Sequence, residues 1–430
     1  MSCVSGRGTP APLLGCCLLA LSAATLTAAA EDFTPPSTPA EAARFEKGNA
    51  LPISKFYDTP ADLAATRPGA LLRQEAVRDY ALPAGASAVR ILYHSLDADG
   101  RDVATSAAVL LPAGNPPAGG WPVIAWAHGT SGVARQCAPS AMRDVYYGEE
   151  GLDDFLKAGF AVVATDYHGL GTEGPHQYIN KTAQARDVIY SIPAARAAVA
   201  QLGSRWVVDG HSQGGLAAWG VAELEAQGQD PGFLGAVSVA GATQIQRIFT
   251  DMTEDSEARF YAAFVAFGLQ ARSVDSPRPA EVLSDMALHH YESVTRDGCW
   301  YYGYASYLHD PSYAPFRPGW QNLSAIRRMI DEDRIGVTLV SRPILVIAGE
   351  GDRSVPIGAV RATVSQACER YLPITFHSYP SLDHDPVMIA STPEQIEWIR
   401  ARFAGQLAAG NCAAQAGMLS SAGDAPAPAR

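Results

Sequence analysis

Residues 206–215 read Trp-Val-Val-Asp-Gly-His-Ser-Gln-Gly-Gly. An apolar run typical of a buried strand leads into Gly-x-Ser-x-Gly, and a helix-compatible segment follows it. A serine at such a strand-to-helix turn occupies a nucleophile elbow, where a strained backbone exposes its hydroxyl. Gly210 and Gly214 carry no Cβ, so the turn can pack closely against neighbouring backbone. Ser212 is therefore the candidate nucleophile.

The sequence on either side of this motif alternates between strand and helix patterns. The turn sequence at residues 97–100, Asp-Ala-Asp-Gly, joins two apolar segments and predicts an antiparallel hairpin. The predicted strands cover residues 89–93, 104–111, 122–127, 160–164, 205–209, 234–240, 343–348 and 374–379. The predicted helices cover residues 151–158, 183–202 (with a kink at Pro193) and 214–226, and a last helix begins with Thr392 as its N-cap. Repeated β-α units predict an α/β fold, with a mostly parallel sheet and helices on both faces.

The alternation stops between residues 244 and 342. This stretch has few strand patterns and many aromatic residues, and residues 259–271 have an apolar helical face. We interpret it as a helical cap inserted into a core that comprises residues 46–243 and 343–412. The cap is either a small helical domain with an ordinary core or a lid that walls an apolar acyl pocket, and both descriptions can hold together.

Length and composition indicate a globular protein. The chain has 430 residues, of which 47% are hydrophobic and 18% are charged, and this suits one large core with an insertion, or two domains. Its formal net charge of -12 disfavours nucleic acid and anionic membrane surfaces as partners, because both would repel it. Residues 31–45 have the composition of a flexible leader, and residues 413–430 that of a disordered tail.

The first 30 residues have the pattern of a secretory signal peptide. Arg7 precedes a mostly apolar stretch at residues 13–26, and three alanines at residues 28–30 form a small-residue cleavage site. The alternatives are a membrane anchor, for which the apolar stretch is short, and a lipoprotein signal that ends at Cys16. We therefore expect an exported protein, either periplasmic or extracellular.

Four cysteines remain after this predicted cleavage: Cys137, Cys299, Cys368 and Cys412. An even number in an exported protein suggests two disulfides, with four separate buried thiols as the alternative. Spacing does not choose among the three pairings. The sequence has no Cys-x-x-Cys pair, and the Asp-Tyr-His cluster at residues 166–168 lacks a second carboxylate–histidine cluster. We expect no metal and no cofactor, and we interpret residues 166–171 as a loop that shapes the pocket rim.

A serine hydroxyl becomes nucleophilic when a histidine, oriented by a carboxylate, removes its proton. In the α/β-hydrolase arrangement the acid and then the histidine follow the serine along the chain. The strand at residues 343–348 runs into a glycine-rich loop that contains Asp352, the candidate acid, and Glu350 is its competitor. His384 follows the strand at residues 374–379 and precedes the last helix, and it is the candidate base.

The oxyanion formed on the substrate needs two backbone N–H donors. One is expected from Gln213, the residue after the nucleophile, and the other from the loop after the third predicted strand. That loop reads His-Gly-Thr-Ser-Gly at residues 128–132. We assign the second donor to Thr130, with Gly129 or Ser131 as the alternatives, and we expect His128 to fix the loop by hydrogen bonding.

Several motifs together resemble those of the secretory lipases, the lipase-A-like branch of the α/β-hydrolases with a large helical lid. The oxyanion loop is Ala-His-Gly-Thr-Ser-Gly at residues 127–132, followed by Cys-Ala-Pro-Ser at 137–140. The segment after the fourth predicted strand is Asp-Tyr-His-Gly-Leu-Gly-Thr at 166–172, followed by Gly-Pro-His at 174–176. The elbow, Gly-His-Ser-Gln-Gly-Gly at residues 210–215, is similar to that of the bacterial members.

This resemblance covers residues 82 to 407 and implies a cofactor-independent lipase or carboxylesterase with the α/β-hydrolase fold. It implies an insertion between the sixth and seventh core strands, in agreement with the predicted cap. It also favours the disulfides Cys137–Cys299, between the oxyanion loop and the cap, and Cys368–Cys412, at the C-terminal helix.

The sequence therefore predicts a secreted serine hydrolase that cleaves esters of apolar acyl groups, in particular acylglycerols. Its partner would be a small-molecule or lipid ester, with transient contact with a lipid interface, and no pattern indicates an oligomeric state. A peptidase or an acyltransferase could use the same three residues. A binding module on a degenerate hydrolase fold is the non-enzymatic alternative.

Overall fold

The computed structural model describes residues 35–412, except residues 147–150, 229, 253–257, 308–313 and 371, and leaves the side chains of residues 249–252 undescribed. The predicted signal peptide, the first part of the predicted leader and the predicted tail lie outside the described residues. Among the described residues, no helix combines the length and the apolar character that crossing a membrane requires.

Nine strands of the described chain form one sheet in the order β1-β2-β3-β5-β4-β6-β7-β8-β9. The strands are β1 (Leu71–Val77), β2 (Ser87–Leu96), β3 (Asp102–Leu111), β4 (Trp121–Ala127), β5 (Ala161–Thr165), β6 (Leu202–His211), β7 (Phe233–Val239), β8 (Ile344–Gly349) and β9 (Ile374–Tyr379). The first three strands and the β3–β5 pair are antiparallel, and all pairs from β5 to β9 are parallel. The predicted hairpin is the β2–β3 pair.

Twelve helices are described along the chain. They are α1 (Pro39–Asn49), α2 (Leu152–Lys157), α3 (Lys181–Ala198), α4 (Gln213–Gly228), α5 (Ile245–Met252), α6 (Tyr261–Arg272), α7 (Pro279–Val282), α8 (Asp285–Arg296), α9 (Trp300–Tyr307), α10 (Ser324–Glu332), α11 (Ile357–Glu369) and α12 (His384–Phe403). The helices from α5 to α10 lie between β7 and β8, where the cap was predicted.

The core lies on both faces of the sheet, because alternate side chains of a strand point to opposite faces. On β4, Val123 and Ala125 pack in one hydrophobic cluster with residues of α3 and α4. Their neighbours Ile124 and Trp126 pack in a second cluster with residues of α2 and α12. Both strand faces are therefore buried, as the continuous apolar run of this strand predicts. A mostly parallel sheet covered on both faces, with a helical insertion, is the α/β-hydrolase fold.

The structure differs from the sequence predictions at both ends of the core. Strand β1 was not predicted, because its residues alternate weakly between half-buried and exposed positions at the edge of the sheet. Helix α12 begins at His384 with Asp383 as its N-cap, so the prediction that Thr392 caps this helix is wrong. The proline that occupies the first turn is Pro386, where the missing N–H costs no hydrogen bond, and Pro393 lies inside the helix.

Residues 39–45 of the predicted flexible leader form the first part of helix α1, so that prediction is wrong there. Helix α1 packs against α9 of the cap: Ala42 is fully buried in a cluster with Tyr301 and Ala305, and the ring of Phe45 contacts the ring of Tyr301 edge-on. The polar composition of the leader hid this helix, because only one narrow face of it is buried.

Glu46 of α1 holds the first turn of α9. Its carboxylate accepts hydrogen bonds from the backbone N–H groups of Cys299, at 3.0 Å, and Tyr302, at 2.8 Å. These are donors that the start of a helix leaves without an intrahelical partner. Burial raises the pKa of Glu46 to about 7, against the opposing effect of these hydrogen bonds.

We expect Glu46 to make the stability of the protein depend on pH. Its pKa is about 7 in the folded chain, against an ordinary value of 4.5 for glutamate, so the folded state retains a proton that the unfolded state loses. The free energy of unfolding should therefore fall as pH rises through this window, by at most about 3 kcal/mol. Glu46→Gln should make this fall smaller in thermal unfolding measured from pH 4 to 8, and the raised pKa values of Asp144 and Asp166, both about 6, should keep part of it. Glu41→Gln, on an exposed face of the same helix, should keep it, and an identical pH dependence in both variants would contradict the prediction.

Two disulfides are present, Cys137–Cys299 and Cys368–Cys412. These are the pairings that the family resemblance favoured. The first links the loop after β4 to the residue that precedes α9, and a backbone hydrogen bond from Trp300 N–H to the carbonyl oxygen of Ser131, at 3.0 Å, runs beside it. The second joins the end of α11 to the segment after α12.

Candidate active site

Ser212 lies on a sharp turn between β6 and α4, with a φ angle of +57°. Such an angle is costly for a residue with a Cβ, and the surrounding backbone has to hold it. The N–H of Ser212 donates to the carbonyl oxygen of Val239 at 2.9 Å, and the carbonyl oxygen of Ser212 accepts from the N–H of Ala242 at 3.0 Å. A Cβ on Gly214 would lie 1.8 Å from the carbonyl oxygen of Ala127. The turn therefore requires glycine at this position.

The structure brings Ser212, His384 and Asp352 together at the carboxyl ends of β6, β8 and β9. The Nε2 atom of His384 lies 2.8 Å from Ser212 Oγ, and its Nδ1 atom lies 2.8 Å from Asp352 Oδ2. The side chain of Asp352 is fully buried. These distances allow a proton to pass from the serine to the imidazole while the carboxylate fixes the ring.

The loop after β8 selects Asp352 and not Glu350 as the partner of His384. Asp352 Oδ1 accepts hydrogen bonds from the N–H groups of Ser354, at 2.9 Å, and Val355, at 2.7 Å, so its second oxygen is held towards the histidine. Glu350 lies at the surface, where Arg361 and Ser378 donate to its carboxylate.

Several charges act on His384. Burial alone would lower its pKa, but the charge and hydrogen bond of Asp352, together with the charges of Asp385 and Asp383, raise it to about 9. The carboxylates therefore stabilise the imidazolium that forms when the serine loses its proton.

We expect kcat/KM to rise with pH along an acid limb that lies above pH 7, because the base has to be neutral in the free enzyme. Asp385→Asn removes one charge that raises the pKa of His384. The limb should then move to lower pH, by less than about one unit because this carboxylate is exposed and screened. The measurement is a pH profile on a soluble ester at low and high salt, with Asp275→Asn, an exposed carboxylate after α6, as the control. A limb that stays in place or moves to higher pH would contradict the assignment.

Gln213 and Thr130, the predicted oxyanion donors, line the same cavity as Ser212. In the loop after β4, the hydroxyl of Thr130 lies 2.8 Å from that of Tyr178, and its carbonyl oxygen accepts from Tyr146. The carbonyl oxygen of Ser131, one alternative donor residue, accepts from Trp300. Thr130 is thus held from two sides at the edge of the cleft, and its role as a donor to the oxyanion remains a prediction.

His128 is buried beneath this loop. Its ring nitrogens lie 2.5 Å from the carbonyl oxygen of Gly129 and 3.2 Å from that of Asp166. Burial lowers its pKa to about 4, so its ring stays neutral. This position fits the expectation that His128 fixes the loop.

His176, which no sequence pattern identified as a site residue, contacts the side chain of Gln213 in the elbow. Its Nε2 atom lies 3.1 Å from the side-chain amide nitrogen of Gln213, and its Nδ1 atom lies 3.0 Å from the carbonyl oxygen of His168. Burial lowers the pKa of His176 to about 3, so a neutral ring donates to the carbonyl and accepts from Gln213. The one signal for this residue in the sequence was its place in the Gly-Pro-His segment at 174–176, which resembles that of the secretory lipases.

The Asp-Tyr-His cluster does not converge on one point. The carboxylate of Asp166 accepts from the N–H of Ser140 at 2.7 Å, whereas His168 contacts Asp187 at 2.8 Å. Both carboxylates are fully buried. The two side chains therefore brace separate parts of the loop, in agreement with its interpretation as structural.

Two cavities meet at Ser212, Thr130 and Tyr261. The apolar cavity is lined mainly by Ile179, Ala242, Ile245, Ile248, Val265 and Val355. The aromatic cavity is lined by Tyr146, Trp300 and Tyr301 and also by His211, His384 and Asp385. Helix α5 of the insertion lines the apolar cavity, α9 lines the aromatic cavity, and α6 lines both through Tyr261.

Comparison with known proteins places the chain among lipases and esterases. The family described as "Secretory lipase" matches residues 148–411. No curated protein matches the chain.

Three solved structures show the same fold. The closed state of Candida antarctica lipase A is 18% identical, with a TM-score of 0.68 over 83% of this chain and 88% of that chain. The rice cell wall degrading esterase LipA from Xanthomonas oryzae is 18% identical, with a TM-score of 0.64 over 78% and 98%. A putative hydrolase from Legionella pneumophila is 16% identical, with a TM-score of 0.64 over 77% and 98%.

Proposed function

The chain belongs to the secretory lipase family and is a carboxylic ester hydrolase of the lipase/esterase type, and from this premise we propose that it is exported and hydrolyses esters of apolar acyl chains, acylglycerols among them. The observation that carries the choice of substrate is the apolar cavity beside Ser212. The signal-like N-terminal sequence and the two disulfides support export.

In the proposed mechanism, Ser212 Oγ attacks the ester carbonyl while His384 Nε2 takes its proton. The oxyanion binds the backbone N–H groups of Gln213 and Thr130, and Asp352 stabilises the imidazolium. His384 then gives the proton to the leaving alcohol, and the acyl group stays on Ser212. Water, deprotonated by His384, releases the carboxylic acid and restores the serine.

The two cavities suggest how the ester lies across Ser212. An acyl chain gains free energy by leaving water for the apolar cavity, at about 0.8 kcal/mol per buried methylene. The aromatic cavity contains hydroxyl, indole and carboxylate groups, so it suits the more polar alcohol part. The proposal therefore includes transient contact with a lipid interface, through which the acyl chain would reach the cleft.

Val265→Phe tests the apolar cavity. Val265 lies on α6, is buried and lines this cavity. A phenyl ring in place of its isopropyl group should therefore shorten the cavity. We expect kcat/KM for octanoate and longer esters to fall at least ~10-fold, while acetate and butyrate esters change less than about threefold. The measurement is a panel of esters from acetate to oleate, with emulsified triglyceride.

The matched control is Val274→Phe, at a position that is 98% exposed, and it should leave the whole panel unchanged. An equal loss at all chain lengths in Val265→Phe would contradict the acyl assignment. Faster hydrolysis of aminoacyl amides than of esters by the parent enzyme would contradict the proposed substrate class.

A further inference from the structure

Three side chains with metal-binding atoms meet at one wall of the aromatic cavity. His211 precedes the nucleophile, and its ring lies beside that of His384, with 4.7 Å between the ring centroids. Asp385 follows His384 at the start of α12. One potential ligand atom from each of these residues lies within 4.8 Å of the other two. The separation between His211 Nε2 and Asp385 Oδ1 is 4.0 Å.

We propose that His211, His384 and Asp385 form a binding site for a divalent transition-metal ion of the zinc type, and that occupation of this site reversibly inhibits the hydrolase. Two imidazoles and a carboxylate, with water at an open fourth position, are a ligand set that zinc adopts in proteins. The Nε2 atom of His384 cannot bind the ion and accept the proton of Ser212 at the same time. Metal binding and catalysis are therefore mutually exclusive.

The orientation of His384 favours its use as a metal ligand. A histidine that binds a metal through one ring nitrogen usually donates its other N–H to a carboxylate. His384 Nδ1 already lies 2.8 Å from Asp352, which leaves Nε2 directed into the cleft. The hydrogen bond that prepares the ring to act as a base also prepares it to act as a ligand.

The local charge favours a cation. The carboxylate of Asp352 lies 2.8 Å from His384 Nδ1 and that of Asp385 is itself one of the three ligands, so both attract a bound dication. The side chain of Asp385 is 56% exposed, so an ion from solvent can reach it first.

Binding requires only a modest rearrangement. Two ligands of one tetrahedral zinc ion lie about 3.4 Å apart, given metal–ligand distances near 2.1 Å. The described separations of up to 4.8 Å therefore have to shrink by up to about 1.4 Å. The exposed carboxylate of Asp385 can move to close its 4.0 Å separation from His211 Nε2, and the two imidazole rings have to close the distance between them. His211 Nε2 would exchange its 3.2 Å contact with the carbonyl oxygen of His384 for the ion.

The test uses Ser212→Ala in the full exported chain, because this variant keeps the three ligands and does not turn over substrate. Zn²⁺ binding is measured by calorimetry, and Co²⁺ binding by its visible absorption, which also reports the coordination geometry. We expect one equivalent to bind in the micromolar range. Adding Asp385→Asn or His211→Phe should weaken binding at least ~10-fold. Adding His377→Asn, which removes a histidine that pairs with Glu394 elsewhere, should leave it unchanged.

A second measurement connects binding to activity. The unmodified enzyme should lose activity on a soluble ester over the same range of Zn²⁺ and regain it with EDTA. For each ligand variant, the Zn²⁺ concentration that halves its metal-free activity should be at least ~10-fold higher than for the unmodified enzyme. The absence of micromolar binding to Ser212→Ala, or binding by either ligand variant as tight as that of Ser212→Ala alone, would overturn the proposal. The binding measurement does not depend on ester hydrolysis, so its failure is distinct from a failure of the proposed function.

Discussion

Ser212→Ala is expected to lower kcat on a soluble nitrophenyl ester by a factor of ~10⁵–10⁶, while the protein stays folded. Loss of a triad nucleophile has an effect of this size, because the oxyanion donors and the binding cavity supply only a small remainder of the rate. Thermal unfolding should change little, since alanine keeps the Cβ in the same positive-φ position. The measurement combines steady-state kinetics with circular dichroism.

Ser381→Ala provides the matched control. Ser381 also has a positive φ angle and lies in the loop before His384, but it is exposed. This variant should keep full activity. A fluorophosphonate probe should label the parent enzyme at Ser212, as read by peptide mass, and should fail to label Ser212→Ala. Retained activity in a folded Ser212→Ala would exclude Ser212 as the nucleophile.

Gly214→Ala is expected to prevent folding or to destabilise the protein by more than about 5 kcal/mol. The added Cβ would lie 1.8 Å from the carbonyl oxygen of Ala127, which belongs to a central strand and has no room to move. Losses of this size arise when a substitution forces the backbone of a packed core apart. The measurement is the yield of soluble protein and its unfolding in urea.

Gly48→Ala is the comparison for this substitution. Gly48 lies in helix α1, and a Cβ there meets no heavy atom within 4 Å. Because alanine favours the helix over glycine, this variant should gain up to about 1 kcal/mol. A stable and active Gly214→Ala would show that the elbow does not pack as the structure describes.

The sequence predicts the sheet well where strands are buried on both faces, because such strands read as continuous apolar runs. It also predicts which loops meet at the catalytic edge, since the carboxyl ends of parallel strands share one edge of the sheet. Ser212, Asp352 and His384 follow three such strands, and the structure brings them within hydrogen-bonding distance.

The remaining features depend on contacts between distant segments, which local patterns do not encode. His176 contacts Gln213 across 37 residues, and neither residue has a local signal for this pair. Helix α1 has one narrow buried face, and the edge strand β1 is largely half-buried, so each resembles an irregular segment. The start of α12 was misplaced because both Pro386 and Pro393 suit a first helical turn, and Thr392 was preferred over Asp383 as the N-cap.

The contact between Glu46 and α9 has a consequence for the order in which an exported chain becomes active. The residues that it joins, Glu46 and Cys299, are 253 positions apart. In a chain that crosses a membrane from its N-terminus, α1 emerges early and α9 emerges late. Helix α1 therefore cannot pack against α9 until most of the polypeptide has crossed. In the proposed export, the wall of the cleft that contains Trp300 and Tyr301 forms only after α9 has crossed, and Asp352 and His384 follow later still. The enzyme would thus be inactive towards the lipids of the membrane that it crosses.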